Sequence, residues 1–482
     1  MVERRSRRKP VLWGMAGLLS LVLLAGVVVY HRLNGNLRIF DGDALSRDRP
    51  AAGGPDAQGR TPVNVLLIGS DSRDGANRDL GGGVESGARS DTTILLHVYA
   101  DHRHAVGVSI PRDSLVDIPP CMLPDGKWTR QQTGATFNSA FEVGGSADGN
   151  PACSQNTVEK LTGLRVDHTI VVNFSGFASM TSAVGGVEVC VPKPVYEGDL
   201  NPNLGRPGRL LFPQGKQRVQ GQAALDYVRL RHGIGDGSDI GRTKRQQAFL
   251  GSLLRQIKGV GMNPATLLPL ADAATGSLVV DPGLGSAVKL LDFALSLRDI
   301  ELADARFLTV PWRYQGSRVA LVQPDATQLW AALRAERPLD GSDADASASP
   351  GAAAQRGIEV EVRDGSGTAG LAARATEQLT LNGFTLAARA AVATPARRTT
   401  AVRYGPGQES AAREVAGLFP GAGLEPSAEP GVVLLLGREL GTATASPGGA
   451  SPGGGPAGRL PASLTAAGRS AADDPCTDLS YG

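Results

Sequence analysis

Excess charge is what this sequence most lacks. Its 482 residues carry 49 Lys and Arg against 47 Asp and Glu, a formal net charge of +2. The first nine residues alone hold Arg4, Arg5, Arg7, Arg8 and Lys9 against Glu3, a local +4, so the remainder stands at −2. That balance excludes a protein-wide basic surface for duplex nucleic acid, and no basic helix-turn-helix pattern is present. A concentrated basic pocket remains compatible with it. Cysteine is also scarce. Cys121, Cys153, Cys190 and Cys476 lack the close paired spacing of a zinc site. Four cysteines allow three disulfide connectivities; Cys121 and Cys153 bracket one loop-rich region and are the first pair to expect, leaving Cys190 and Cys476.

Val11 to Tyr30 is a charge-free apolar run of the length that crosses a hydrocarbon core as a helix. It exceeds the h-region of a usual signal peptide and no A-x-A cleavage site follows, so an uncleaved anchor is expected. The positive charge before it keeps the N-terminus cytoplasmic and places the rest outside the cell membrane, where disulfides persist.

The length allows about two or three domains of roughly 150 residues. TPVNVLLIG, TTILLHVYA, AVGVSI, HTIVVNF and GVEVCV read as strands, interleaved with helix-like SQNTVEKLTG and SGFASMTSAVGG. That alternation predicts an α/β sandwich with both sheet faces covered. A long helical region is expected from Ile240 through the 290s, with LTVPW as a last strand. After a polar small-residue stretch, IEVEV, a helix near 368–381, FTLAARAAV, a helix near 410–418 and VVLLL predict a small second α/β unit. The expected order is a basic tail over 1–10, the span over 11–30, an extracytoplasmic linker over 31–60, a first domain over 61–335, a linker over 336–356, a second domain over 357–440, and a disordered Gly/Pro/Ser/Ala-rich tail over 441–482.

The stretch YVRLRHGIGDGSDIGRTKRQQAF, 227–249, concentrates the charge. Treated as a strand, ALDYVRLR turns Arg229 and Arg231 to one face, either toward solvent or toward a site. From Arg242 onward, helical phase places Arg242, Gln246, Phe249, Leu250, Leu253 and Ile257 on one side, with Lys244, Gln247, Arg255 and Lys258 opposite. A guanidinium on an apolar stripe needs an acid or an anionic ligand. Asp239, just before this helix, is an N-cap, a general base, or both. Asp71 and Arg73 follow the first strand, Arg89 and Asp91 enter the second, and Arg112 and Asp113 leave the third. Asp91 meets Asp71 only if those first two strands run antiparallel. Several arginines with two or more aspartates suit a phosphate or diphosphate held with a divalent cation. Gly365, Gly367 and Gly370 satisfy G-x-G-x-x-G, but FTLAARAAV ends without the acidic residue expected on a ribose, so tight-turn and packing roles are expected there.

VNVLLIGSDSR, RSDTTILLHV, VSIPRDSLVDIP, NSAFEVGG, VEKLTGLRVDHTIVVNFSGF, AVGGVEVC and GQAALDYVRLRHG with DIGRTKRQQAFL, about Val63 to Leu254, resemble in order and spacing the LytR-CpsA-Psr family of cell-wall glycopolymer ligases. IEVEVRDGSGTAGLAARATEQLTLNGF with VVLLLG resembles the LytR C-terminal domain of actinobacterial members. The resemblance implies an α/β fold with a mixed β-sheet sandwiched between helices, preceded by one transmembrane helix and followed by a small α/β domain. It implies a membrane-anchored phosphotransferase that moves a glycan 1-phosphate from a polyprenyl diphosphate carrier to a hydroxyl of peptidoglycan or another cell-wall polymer. Asp71 and Asp91 would bind Mg²⁺ or Mn²⁺. Arg73, Arg89, Arg112, Arg229, Arg231, Arg242 and Gln246 would hold the diphosphate, with Asp239, Arg112 and Arg242 catalytic. The rival readings are a non-catalytic wall-glycan scaffold, a polyprenyl-diphosphate pyrophosphatase and a transcriptional attenuator.

Overall fold

A computed structural model describes residues 8–71, 88–146, 149–235, 237–260, 264–339, 359–367, 371–372, 375–376, 379, 384–386, 396–419, 421–439, 468–479 and 481. They divide into two compact units, 1–336 with 466–482, and 337–465.

The first unit is built on an eight-stranded mixed sheet: β1 (Arg38–Ile39), β2 (Val63–Ser70), β3 (Ser90–Val98), β4 (Ala105–Ser109), β5 (His168–Val172), β6 (Leu278–Val280), β7 (Ala305–Thr309) and β8 (Arg469–Ser470), in the order β1-β6-β5-β2-β3-β4-β7-β8. β2 runs antiparallel to β3 and β3 to β4, while β5 is parallel to β2 and β7 to β4. Every residue of β4 is buried. A strand buried at all positions needs cover on both faces, hence its small and apolar residues with no charge among them. Helix α1 (Arg8–Asn36) precedes the sheet; α2 (Pro151–Thr162), α3 (Phe174–Ala183), α4 (Gly221–Arg229), α5 (Asp239–Val260), α6 (Pro264–Thr275), α7 (Ala287–Ser296) and α8 (Asp325–Arg334) follow.

α1 is the one helix among the described residues long and apolar enough to cross a membrane. Trp13, Leu18, Leu21 and Leu24 find no cover in the protein, each being more than half exposed. Its last turn joins the body: Arg32 donates to both carboxylate oxygens of Asp272 at 2.8 and 2.7 Å, and Asn34 Oδ1 accepts from Ala287 N at 3.1 Å.

Several expectations are corrected. The expected linker over 31–60 contributes β1, and Arg49 is clamped onto Glu159 of α2 at 2.6 Å. ALDYVRLR forms most of α4 rather than a strand; Ala224, Leu225, Tyr227 and Val228 are buried at the spacing of a helical stripe, which an alternation count over so short a window also fits. The long helical region from 240 is broken by β6 between α6 and α7. The tail expected to be disordered over 441–482 returns to the first unit: β8 pairs with β7, and Cys476 is bonded to Cys190. Its Gly/Pro-rich composition belongs to 441–467, which lie outside the described residues. The other disulfide joins Cys121 to Cys153, as expected.

The second unit has a five-stranded sheet, in the order Thr385–Leu386, Glu359–Asp364, Val432–Leu436, Ala401–Tyr404, Gly423–Pro426, with helix Glu409–Gly417 beside it. At the glycine motif Asp364 accepts from Ser366 N and Oγ, and Gly367 takes a φ of +69°. Turn chemistry therefore accounts for Gly367, while Gly365 is buried and donates to Leu436 O at 3.0 Å; Gly370 lies outside the described residues.

Candidate functional site

The site lies where β2 ends, β3 begins and β4 leaves, under the first turn of α5. Because β2 and β3 are antiparallel, Asp71 and Asp91 come to adjoining strand ends. Asp71 N donates to Arg89 O at 3.1 Å, and Arg89 N donates to Asp71 Oδ1 at 2.6 Å. Arg112 reaches back from the end of β4. Its Nη1 donates to Asp91 Oδ1 at 2.6 Å, and its Nε lies 3.3 Å from Asp239 Oδ1 and 3.5 Å from Asp113 Oδ2. Arg242, 5% exposed, also pairs with Asp239 Oδ1. Both arginines make their closest approach to Asp239 at Oδ1.

The N-cap of α5 is Ser238, whose Oγ accepts from Gly241 N at 2.9 Å. Asp239 is therefore the first helical residue, with its carboxylate directed to the arginines rather than to a helix-end amide. Arg231 is exposed, yet burial of its guanidinium and the neighbouring Arg242 and Arg112 hold its pKa below the ordinary arginine value. A cluster with this repulsion favours an anionic ligand.

Burial raises the Asp91 carboxyl, but Arg242, Arg112 and Arg231 together outweigh it, and the net shift is downward. A depressed carboxylate stabilises the fold above the unfolded value of about 3.9, and that contribution is lost as pH falls through the folded value. Asp91→Asn is therefore expected to be destabilising at neutral pH, with the difference from wild type shrinking as the solution is acidified below about pH 4. Denaturant titrations across that range measure it; a difference independent of pH would contradict the assignment.

Two chambers meet at Arg242. The first is apolar, has a cavity volume of ≈ 200 Å³ and opens to solvent, and is lined among others by Leu67, Ile94, Phe174, Phe177, Met180 and Leu253, with Asp91, Arg229, Arg242 and Gln246 at its polar edge. The Arg229 guanidinium lies 4.3 Å from the centre of the Phe174 ring. Gln246 is fixed by Thr92 Oγ1, which donates to its Oε1 at 3.0 Å, and by donating from Nε2 to Val228 O at 3.2 Å. The second chamber, with a cavity volume of ≈ 260 Å³, is polar and includes Arg112, Asp113, Arg231, Asp239, Arg242 and Tyr314 in its lining.

The structure thus brings Asp91, Arg112, Arg231, Asp239 and Arg242 together, with Arg229 and Gln246 along the apolar chamber. The Arg89 guanidinium pairs instead with Glu142, at 3.4 Å. Arg73 lies outside the described residues. Sequence reasoning missed Tyr314, for which phase and spacing offered no signal, and it named Asp113 beside Arg112 without giving it a role. It also left Arg245 unassigned. This guanidinium is 1% exposed and donates to Tyr227 O at 3.1 Å and to Leu230 O, pinning the turn between α4 and α5; burial lowers its pKa to about 10.

Among the described residues no group of three or more His, Cys, Asp or Glu forms a metal cage. Asp71 and Asp91 offer oxygen donors only. Mg²⁺ takes one or two carboxylates and completes its shell with water and substrate phosphates, so this donor set fits that ion, or Mn²⁺, with a phosphorylated substrate present.

A mixed sheet whose strand ends open on an arginine mouth beside an apolar chamber defines an α/β protein shaped for an amphiphilic anion. The chain belongs to the LytR-CpsA-Psr family, which matches residues 39–335; residues 357–439 match the domain described as LytR cell envelope-related transcriptional attenuator. Over 386 residues it is 33% identical to the cell wall biosynthesis protein LcpA of Corynebacterium glutamicum, covering 73% of this chain and 70% of that one. It is 31% identical over 265 residues to the polyisoprenyl-teichoic acid–peptidoglycan teichoic acid transferase TagU of Oceanobacillus iheyensis, covering 53% of this chain and 72% of that one. The solved LytR-Csp2A-Psr enzyme from Actinomyces oris aligns with a TM-score of 0.45 at 20% identity, over 62% of this chain and 95% of that one. The chain is an enzyme of this transferase type in cell-wall biosynthesis.

Proposed function

We propose that this protein is a membrane-anchored phosphotransferase that moves a glycan 1-phosphate from a polyprenyl diphosphate to a hydroxyl of peptidoglycan or another cell-wall polymer. The observation that carries the reading is the pair of chambers sharing Arg242. An apolar chamber of that size accepts part of an isoprenoid chain, and the arginines at its edge accept the diphosphate. The apolar surface of α1, uncovered by protein, supports a membrane anchor with the N-terminus cytoplasmic and both units outside.

In the chemical step the acceptor hydroxyl oxygen attacks the sugar-side phosphorus. The P–O bond to the lipid-side phosphate breaks, and polyprenyl phosphate leaves with the electron pair. The Asp239 carboxylate, in the lining of the polar chamber, takes the hydroxyl proton. Arg112 and Arg242 are preformed donors for charge developing on the phosphoryl oxygens, fixed by Asp91 and Asp239 before substrate arrives, and Arg231 adds its positive charge beside them. Gln246, held by Thr92 and Val228, orients the lipid-side phosphate. A divalent cation on Asp71 and Asp91 would supply further neutralisation of phosphate charge when bound.

Asp239→Asn keeps the shape and removes the base. With the full-length chain in detergent, Mg²⁺ and a labelled polyprenyl diphosphate donor, it is expected to lower kcat by about 10²- to 10⁴-fold while the donor still binds. Undiminished turnover would remove Asp239 from the chemistry.

A further inference from the structure

One wall of the polar chamber is left unused by the phosphate chemistry. Trp312–Gln315 and Arg318–Leu321 form an antiparallel hairpin in which Gln315 pairs with Arg318, leaving Gly316 and Ser317 as the turn. Gly316 takes a φ of +61°, as the first central position of a type II′ turn requires. The turn fixes the register, so Trp312 and Tyr314 share one face of the hairpin and Arg313 falls on the other.

The hairpin is fastened beside the charge cluster. Val319 N donates to Asp113 O at 3.1 Å, Val319 bridges Ser114, and Arg318 Nη1 lies 3.5 Å from Asp113 Oδ1. Tyr314 and Ser317 consequently line the same chamber as Asp239. Tyr314 is nevertheless 56% exposed, its ring meeting Trp312 edge-on with centroids 4.9 Å apart.

Phosphate has no use for this wall, which is aromatic and hydroxylic where the opposite side is cationic. A pyranose has the matching surface: apolar C–H faces that lie on a ring, and rim hydroxyls that bond the Tyr314 and Ser317 hydroxyls. We propose that the hairpin is the acceptor subsite, taking a neutral pyranose of a polysaccharide on Tyr314 with its attacking hydroxyl turned toward Asp239. This rests on the transferase reading above and names its acceptor class. The lipid chamber and this wall share only Arg242 in their linings, so donor tail and acceptor occupy separate spaces.

The test uses the full-length chain in nanodiscs containing brominated lipid, with an N-acetylglucosamine tetrasaccharide as probe. Titration followed by NMR is expected to show Tyr314→Ala weakening the tetrasaccharide about fivefold or more, Tyr314→Phe retaining most of the affinity, and donor affinity holding in both. Equal tetrasaccharide affinity in wild type and Tyr314→Ala overturns the subsite, as does absence of binding by wild type. Bromolipid quenching that disappears in Trp312→Phe also overturns it, because the hairpin would then contact membrane. Donor turnover is scored separately. Its absence alongside Tyr314-dependent binding would sink the transferase reading and leave a glycan site in place.

Discussion

Arg242→Ala is expected to cut kcat/KM for the donor by at least about 10²- to 10³-fold, the cost of removing one preformed donor aimed at developing negative charge. Two effects add here. Arg242 is the residue common to both chambers, so its loss weakens the grip on the diphosphate at the junction of lipid and acceptor. It also partners Asp239, and its removal leaves that carboxylate with Arg112 alone. Arg242→Lys should recover little, since an ammonium cannot reproduce the planar fork that binds carboxylate and phosphate together. Arg112→Ala should be comparably damaging and should also release Asp91. The double variant is expected to fall well short of the product of the single losses, because the two arginines act on one carboxylate and one phosphoryl group. Steady-state kinetics with the labelled donor measure this; single variants near wild-type rates would contradict the site.

The second large effect concerns stability. Tyr481 is 2% exposed in a core cluster with Tyr227, Phe212, Leu230 and Phe249, and a Cβ on Gly235 would fall 2.1 Å from its carbonyl oxygen. The returning segment therefore packs against the loop that carries the chain from Arg231 to Asp239. Arg255 of α5 donates to Ala471 O and Asp473 O, and Cys476 bonds Cys190. Tyr481→Ala is expected to cost about 3–5 kcal/mol, as for other large buried aromatics. Cys190→Ser with Cys476→Ser should cost about 2–4 kcal/mol. Thermal unfolding of these variants, with the Cys121–Cys153 bond intact, measures both. A chain ending near residue 335 should show the same weakness. Unchanged melting would mean that the first unit does not depend on this segment.

That segment marks where sequence reasoning stopped. Its first part is Gly/Pro-rich, and composition says nothing about a short strand whose partner, β7, lies more than 150 residues earlier in the chain. Phase along α5 did reveal Arg242 and Gln246, because one apolar stripe dominates the helix. It set Gln247 and Arg255 opposite that stripe without giving them partners, and α5 is covered on that second side: Gln247 bonds Ser109 and Thr309, and Arg255 meets the returning segment. Arg245 was illegible for a related reason. Its acceptors are backbone carbonyls of α4 and the turn after it, which no side-chain pattern announces. The apolar strands, their order of appearance and the placing of Asp71 and Asp91 at strand ends were legible, because buried apolar runs and polar strand ends are local features; the antiparallel pairing of β2 with β3, on which their approach depends, was not. Reading α4 as a strand still singled out Arg229 and Arg231, which line the apolar and the polar chamber respectively, though by the wrong geometry.

The fate of the sugar-side phosphorus tests the account most directly. The full-length chain, with Mg²⁺ and a wall acceptor, would be given a polyprenyl diphosphate glycan carrying ³²P at that position. The account predicts that the label appears in the acceptor polymer, with unlabelled polyprenyl phosphate released. Label remaining in bound, unreacted donor would establish a scaffold, and label released as a soluble glycan phosphate in the presence of acceptor would establish a pyrophosphatase; either result would contradict it.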